Sequence, residues 1–290
     1  MERKSLKDLT LLDRFLFAEA VEDPETMQIL LEIILGEEIV IENLPQTEKE
    51  QRKSPRYRHI RLDVWAKDEN DRIYDTEVQR RDTGNLPKRS RYYQGLIDGK
   101  LLEPGTVDFN LLNDVFIILI TPFDLFGSER YRYTFRMRCE EEGEISLGDG
   151  AVRIFLNTHG KDPEHISPEL AELLYFMEHT NDRERKPESE KIQRLREKVE
   201  ALKDDEEVGV RYMQEWEERE LEKIDARNAG REEGLERGRR EGMERGLLEG
   251  EQNKLREQIQ KKVEKNYSAE KIAEDLEESV ETIQKIMEGL

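Results

Sequence analysis

The stretch IRLDVWAKDENDRIYDTEVQRR, residues 60–81, decides how the rest of the chain is read. Ile60, Leu62 and Val64 alternate with Arg61, Asp63 and Trp65, the period of a half-buried strand. Residues 67–72, KDENDR, carry turn chemistry, and residues 73–79 alternate again. The pattern predicts a hairpin centred on Asn70, in which Asp63 and Glu77 face each other across the ladder. Opposed residues of an antiparallel pair hold their Cβ atoms about 4.5–5.5 Å apart, so two carboxylates there repel unless a cation lies between them. Gln79 shares the face of Glu77, which gathers Asp63, Glu77 and Gln79 into one cluster. Two carboxylate oxygens, a backbone carbonyl and waters form a ligand set that Mg²⁺ accepts, because this ion keeps several waters. A polar hairpin with solvated carboxylates shows the same alternation, and spacing alone leaves both readings open.

The surroundings of the hairpin carry the opposite sign to the chain as a whole. The 290 residues have a formal net charge of −20, which argues against non-specific coating of nucleic acid but permits a local basic groove. Residues 55–100 hold 11 basic and 8 acidic side chains. Among them Arg80, Arg89 and Arg91, with Tyr92 and Tyr93, offer the guanidinium forks and hydroxyls that position a phosphate backbone. A phosphodiester beside a carboxylate-bound metal suits metal-assisted hydrolysis. The single cysteine, Cys139, excludes a disulfide framework and an all-Cys zinc site. His59, His159, His165 and His179 lack paired ligand spacing, which points to hard, oxygen-ligated cations. No apolar run is long enough to span a membrane, and the N-terminal MERKSLKDLT lacks the apolar core of a signal peptide, so a cytoplasmic location is expected.

Helices and strands alternate around the hairpin. Leu12, Phe15, Leu16 and Val21 have helical spacing that ends near Asp23. Pro24 opens a second helix, whose apolar face is Met27, Leu30, Leu31, Ile34 and Leu35 and whose stop is Gly36. Residues 89–102 read as a helix and residues 131–137 and 152–156 as strands. VFIILIT, Val115–Thr121, has the continuous apolar run of a strand buried on both faces. The mixture predicts an α/β or α+β class.

Composition changes near residue 180. Residues 181–290 hold 24 basic and 32 acidic side chains with scattered apolar positions, the pattern of solvated helices. The expected division is a folded domain at 1–180, a charged helical segment at 181–250 and a small helical module at 251–290. Gly230, Gly234, Gly238, Gly242, Gly246 and Gly250 recur at every fourth position. In a helix each costs about 1 kcal/mol relative to alanine, for which close approach of another helix would compensate. A four-residue step overshoots one turn by about 40°, so one straight seam cannot hold all six. Homo-oligomerisation and a frayed, flexible tether both remain open. Beyond them, residues 254–265, 269–276 and 280–287 read as short helices with Ser268 and Ser279 as N-caps, better suited to a packing cap than to reading DNA.

The blocks LDRFLFAEAVEDPE (12–25), LLEIILG (30–36), IRLDVWAKDENDRIYDTEVQRR (60–81), LPKRSRYYQGLID (86–98) and FIILITPFDLFG (116–127) together resemble the recombination-promoting nuclease and transposase family of the PD-(D/E)XK nuclease superfamily. The resemblance implies a restriction-endonuclease-like α/β core, a mixed sheet flanked by helices, followed by a helical C-terminal tail. It also implies a metal-dependent DNA endonuclease with Mg²⁺, or Mn²⁺ as substitute. Asp63 and Glu77 would hold the metal. Gln79 stands where the superfamily more often has lysine, and Glu19 resembles an auxiliary acidic residue on the first helix. Glutamine orients by hydrogen bonds but carries no charge, so Arg80 or Arg91 is the candidate for the missing cation. Two other classes compete with this reading. One is a DNA-binding module of the same fold without turnover, and the other is an interaction protein that acts through its helical tail.

Overall fold

The computed structural model describes residues 4–42, 46–47, 64–102 and 105–289. Six strands form one sheet in the order β1-β2-β3-β4-β6-β5: β1 (Gln46–Thr47), β2 (Val64–Lys67), β3 (Ile73–Val78), β4 (Val115–Thr121), β5 (Arg132–Phe135) and β6 (Ala151–Asn157). The first is a two-residue edge piece. β3, β4 and β6 run parallel, whereas β2 and β5 are antiparallel to their neighbours. The parallel step from β3 to β4 passes through helix α3 (Leu86–Leu101), as parallel neighbours need a crossover.

The hairpin has the expected register. Trp65 pairs with Asp75, Ala66 with Tyr74 and Lys67 with Ile73, all centred on Asn70. Its turn is held by Asp68, which is wholly buried. One carboxylate oxygen accepts from the amides of Asn70 and Arg72 at 3.0 and 2.9 Å. The other accepts from Arg72 Nε at 2.7 Å and the Tyr74 hydroxyl at 2.8 Å.

Residue parity divides the sheet into two faces. Tyr74, Val78, Phe116, Ile118, Ile120, Val152, Ile154 and Leu156 join the core built with α1 (Arg14–Val21), α2 (Pro24–Leu35), α4 (Pro168–Glu178) and α5 (Glu190–Asp204). Ile73, Val115, Ile117, Leu119 and Phe155 pack on the other face against Leu86, Tyr93 and Ile97 of α3. β4 is buried along its whole length, as a continuous apolar run requires when both faces are covered. The punctuation around α2 acts as its residues suggest. Asp23 caps the Thr26 amide at 3.0 Å, and Gly36 closes the helix at φ +75°, a conformation that favours glycine.

The division expected at residue 180 is displaced. The first compact unit runs to Gln214, and the second is Glu215–Leu290. Ile192, Leu195 and Val199 of α5 are buried in the main core. Lys203, at the end of the same helix, donates from Nζ to the Leu9 carbonyl at 2.5 Å and to Asn181 Oδ1 at 2.6 Å. Composition concealed this helix because only one narrow stripe of it is apolar, and one stripe is all that a helix needs to dock.

Helix α6 (Glu206–Val263) is 58 residues long. Residues 221–250, including all six repeated glycines, are exposed, and a Cβ added at any of those glycines meets nothing within 4 Å. In the second unit, Ile259 of α6 packs with Ile272 and Ala273 of α7 (Ala269–Leu276) and Ile283 of α8 (Val280–Glu288). Ser268 and Ser279 cap these last helices through the amides of Lys271 and Thr282, at the positions read from the sequence.

Candidate functional site

β3 alternates strictly, so Ile73, Asp75 and Glu77 point to the α3 face. Within this face the apolar start gives way to acids. Asp75 is 1% exposed and Glu77 7% exposed. Gln79 continues the line just past the strand, its amide donating to the Ile120 carbonyl at 2.9 Å and so prolonging the ladder with β4. A carboxylate buried at a sheet end costs several kcal/mol unless a cation or hydrogen bonds compensate. The compensation comes from α3.

Leu86, Ser90, Tyr93, Gln94 and Ile97 form the buried stripe of that helix, and Arg89 borders the stripe close to the helix N-terminus. Its guanidinium reaches the end of β3, where Nη2 donates to Glu77 Oε1 at 2.6 Å and to Gln79 Oε1 at 3.0 Å. The guanidinium carbon lies 5.7 Å from the centre of the Tyr93 ring, within cation–π range. Gln79 is turned so that its amide nitrogen donates to the Arg81 carbonyl at 2.7 Å, which leaves its oxygen on Arg89. Two oxygens, one from β3 and one from the residue just past its end, thus converge on a single positive nitrogen.

The other expected residues lie in different places. Asp63 is outside the described residues. Glu19 does not join the cluster at Arg89 but forms a forked ion pair with Arg211 of α6, 3.0 Å from Oε1 to Nε and 2.5 Å from Oε2 to Nη2. Arg80 pairs with Asp13 at 2.7 Å. Arg91 and Tyr92 are exposed on the outer side of α3, where a polymer could reach them. Tyr93, expected to hold phosphate, is 4% exposed and part of the α3 core. The helical period turns it inward while its neighbours point out.

Sequence reasoning passed over Asp75, although the spacing Ile73, Asp75, Glu77, Gln79 already put it on the same face. It named Arg89, but as one phosphate ligand among several. No sequence signal ties residue 89 to residue 77, because the loop between them sets their approach. Among the described residues no three His, Cys, Asp or Glu side chains gather closely enough to hold a metal ion. A cleft of about 380 Å³ lined by Ile33, Arg132, His165, Ser167 and Leu170, among others, contains none of Asp75, Glu77, Gln79 and Arg89.

A family model described as PD-(D/E)XK nuclease family transposase matches residues 13–233, most of the chain. The chain belongs to the PD-(D/E)XK nuclease family of transposases. The matched span of this nuclease-family chain takes in α1, the whole sheet and the hairpin, and it ends within α6, before the three-helix cluster of the second unit. The α/β core with a mixed sheet flanked by helices is the architecture expected of the family. No curated protein and no solved structure matches the chain. No helix among the described residues of this family member is long and apolar enough to cross a membrane.

Proposed function

We propose that this protein is a divalent-metal-dependent DNA endonuclease, with Asp63 and Glu77 as metal ligands and Gln79 as an orienting group. The observation that carries the reading is the convergence of Glu77 Oε1 and Gln79 Oε1 on one cationic nitrogen, at 2.6 and 3.0 Å, in a chain of a nuclease family. Hard oxygens that gather about a positive point are the donor set that Mg²⁺ and Mn²⁺ prefer. The observed pairs Trp65–Asp75, Ala66–Tyr74 and Lys67–Ile73 keep the centre at Asn70, which supports the sequence reading that sets Asp63 against Glu77.

Bound there, a divalent ion would supply a more acidic water and a sink for negative charge on the phosphoryl oxygens. The chain's own residues do the rest. Glu77 is held by the sheet and buried, so its carboxylate does not reorganise on loading. Gln79, an amide with both ends engaged, can orient a water or a phosphate oxygen but cannot take its proton. Arg91 and Tyr92, exposed on α3, would hold the sugar-phosphate backbone.

Cleavage of supercoiled plasmid with Mg²⁺ or Mn²⁺ tests the reading, with wild type beside Asp63→Ala and Glu77→Ala and an EDTA control. Nicking is expected in wild type and should fall at least about a hundredfold in each variant, since metal-borne charge stabilisation is worth several kcal/mol and each 1.36 kcal/mol is tenfold in rate. Metal-independent nicking, or nicking untouched in both variants, would overturn it. The uncharged Gln79 favours a second reading, a DNA-binding module without turnover. That reading predicts no cleavage together with salt-sensitive DNA binding.

A further inference from the structure

We propose that Arg89 is the resident cation of the site: it occupies Glu77 before the metal arrives, competes with the metal for Oε1, and then serves as the positive charge beside the phosphodiester. The proposal rests on the metal-dependent reading above.

Three observations carry it. First, Arg89 Nη2 is 2.6 Å from Glu77 Oε1, a charge-assisted hydrogen bond at its short limit. With the Glu77 side chain 9% exposed and that of Arg89 21% exposed, the pair is shielded from water and its attraction is little screened. A divalent ion on the same oxygen would sit beside a guanidinium of like sign, so one of the two must yield. Second, the same nitrogen is also 3.0 Å from Gln79 Oε1. That partner is neutral, and it has no reason to release Arg89 when a metal binds. Gln79 therefore gives the guanidinium a second anchor to which it can retreat without leaving the site. Third, Arg89 Nε is buried and has no hydrogen-bond partner among the described residues. An unmet buried donor is costly. Once the guanidinium turns away from Glu77, this donor would come free for a ligand with planar, multiply accepting oxygens, and a phosphodiester is such a ligand.

This arrangement also explains how a carboxylate and an amide serve where a charged donor is needed. The strand supplies the metal ligand and the orienting amide, while the cation comes from the neighbouring helix. Arg80, engaged with Asp13, and Arg91, on the outer side of α3, are not the groups placed on Glu77. Arg89 acts on the metal through Glu77 and is in that respect a positioning residue.

The test is Mn²⁺ binding to the full chain, measured from the electron paramagnetic resonance of free Mn²⁺, for wild type, Glu77→Ala, Arg89→Met, Arg89→Gln and Arg89→Lys. Wild type should bind Mn²⁺ and Glu77→Ala should lose it. Arg89→Met should bind about tenfold more tightly than wild type, a gain of 1.4 kcal/mol, while its plasmid cleavage falls. Arg89→Lys, which keeps the charge, should stay near the wild-type affinity. Arg89→Gln keeps a hydrogen-bonding group without charge and should tighten binding as Arg89→Met does, which covers the case in which the apolar variant fails to fold. If wild type binds Mn²⁺ through Glu77 and neither neutral variant tightens it, Arg89 does not compete and the proposal fails while the metal reading stands. If wild type shows no binding that depends on Glu77, the metal reading fails and the proposal falls with it.

Discussion

The end of β3 and the exposed length of α6 are both rich in charge, and they solve the problem of charge in opposite ways. At the end of β3, Glu77 is buried and meets a guanidinium that arrives from another element. Along residues 221–250 every side chain is exposed, and ion pairing is local, as between Arg237 and Glu241 one turn apart. Water serves the second set of charges, so they ask nothing of the fold. Burial denies water to the first set, so the fold must bring a partner, and the meeting of strand and helix becomes specific. A site can be built on the first kind of charge. The second kind keeps a helix in solution.

The sharpest way to break this contrast is to cut one leucine from each setting. Leu195 of α5 is wholly buried in the main core, and Leu195→Ala should lower the stability of the first unit by about 3–5 kcal/mol, the cost of lost burial plus a cavity. Leu247 is 62% exposed, and Leu247→Ala should stay within about 0.5 kcal/mol of wild type. Urea unfolding followed by circular dichroism measures both. Comparable losses would mean that the exposed helix is covered in solution and that the contrast is false.

A second probe concerns a buried charge that does no chemistry. Burial by itself pushes the Asp68 carboxyl up, but hydrogen bonds from the Arg72 amide, the Tyr74 hydroxyl and the Arg72 guanidinium outweigh it and hold the group below its ordinary value of 3.8. A carboxyl depressed in the folded state adds stability that is complete above its unfolded value and drains away as pH falls through the folded one. Asp68→Ala should cost about 3 kcal/mol at neutral pH, as when one partner of a buried pair is removed. The gap in melting temperature between wild type and variant should then narrow as pH falls below 3.8. A gap that is flat with pH would show that the turn does not rely on the ionised carboxylate.

The smallest effect belongs to the repeated glycines. With nothing within 4 Å of an added Cβ, Gly234→Ala, Gly238→Ala and Gly242→Ala should each stabilise the helix by up to about 1 kcal/mol, read as slower amide hydrogen exchange. If the changes instead lower helicity and reduce the mass measured by light scattering, a second copy closes on the glycines and the exposed length is an interface.

Parity and punctuation were the legible part of this protein. Alternation placed Glu77 and Gln79 on one face, turn residues centred the hairpin on Asn70, and the observed pairs keep that centre. Pro24, Gly36, Ser268 and Ser279 end or begin helices where their backbone preferences require. The misread residues share one feature, that their neighbours are remote in sequence. Tyr93 was taken as a surface hydroxyl beside two arginines, and it is a core residue of α3. Residues beyond 180 were assigned to a solvated tail, yet α5 docks through one stripe, and Lys203 reaches the Leu9 carbonyl 194 positions away.

The sequence by itself determined the α/β class, the hairpin and its centre, the caps and the face on which Glu77 and Gln79 lie, because each follows from local backbone preference and a period of two or 3.6 residues. Only the tertiary structure decided that Arg89 is the cation on Glu77, that Glu19 is held by Arg211 and that the first unit extends to Gln214. These outcomes depend on which surfaces meet when α3, α5 and α6 pack. Burial then makes each meeting of charges energetically decisive, and no local pattern in the chain encodes it.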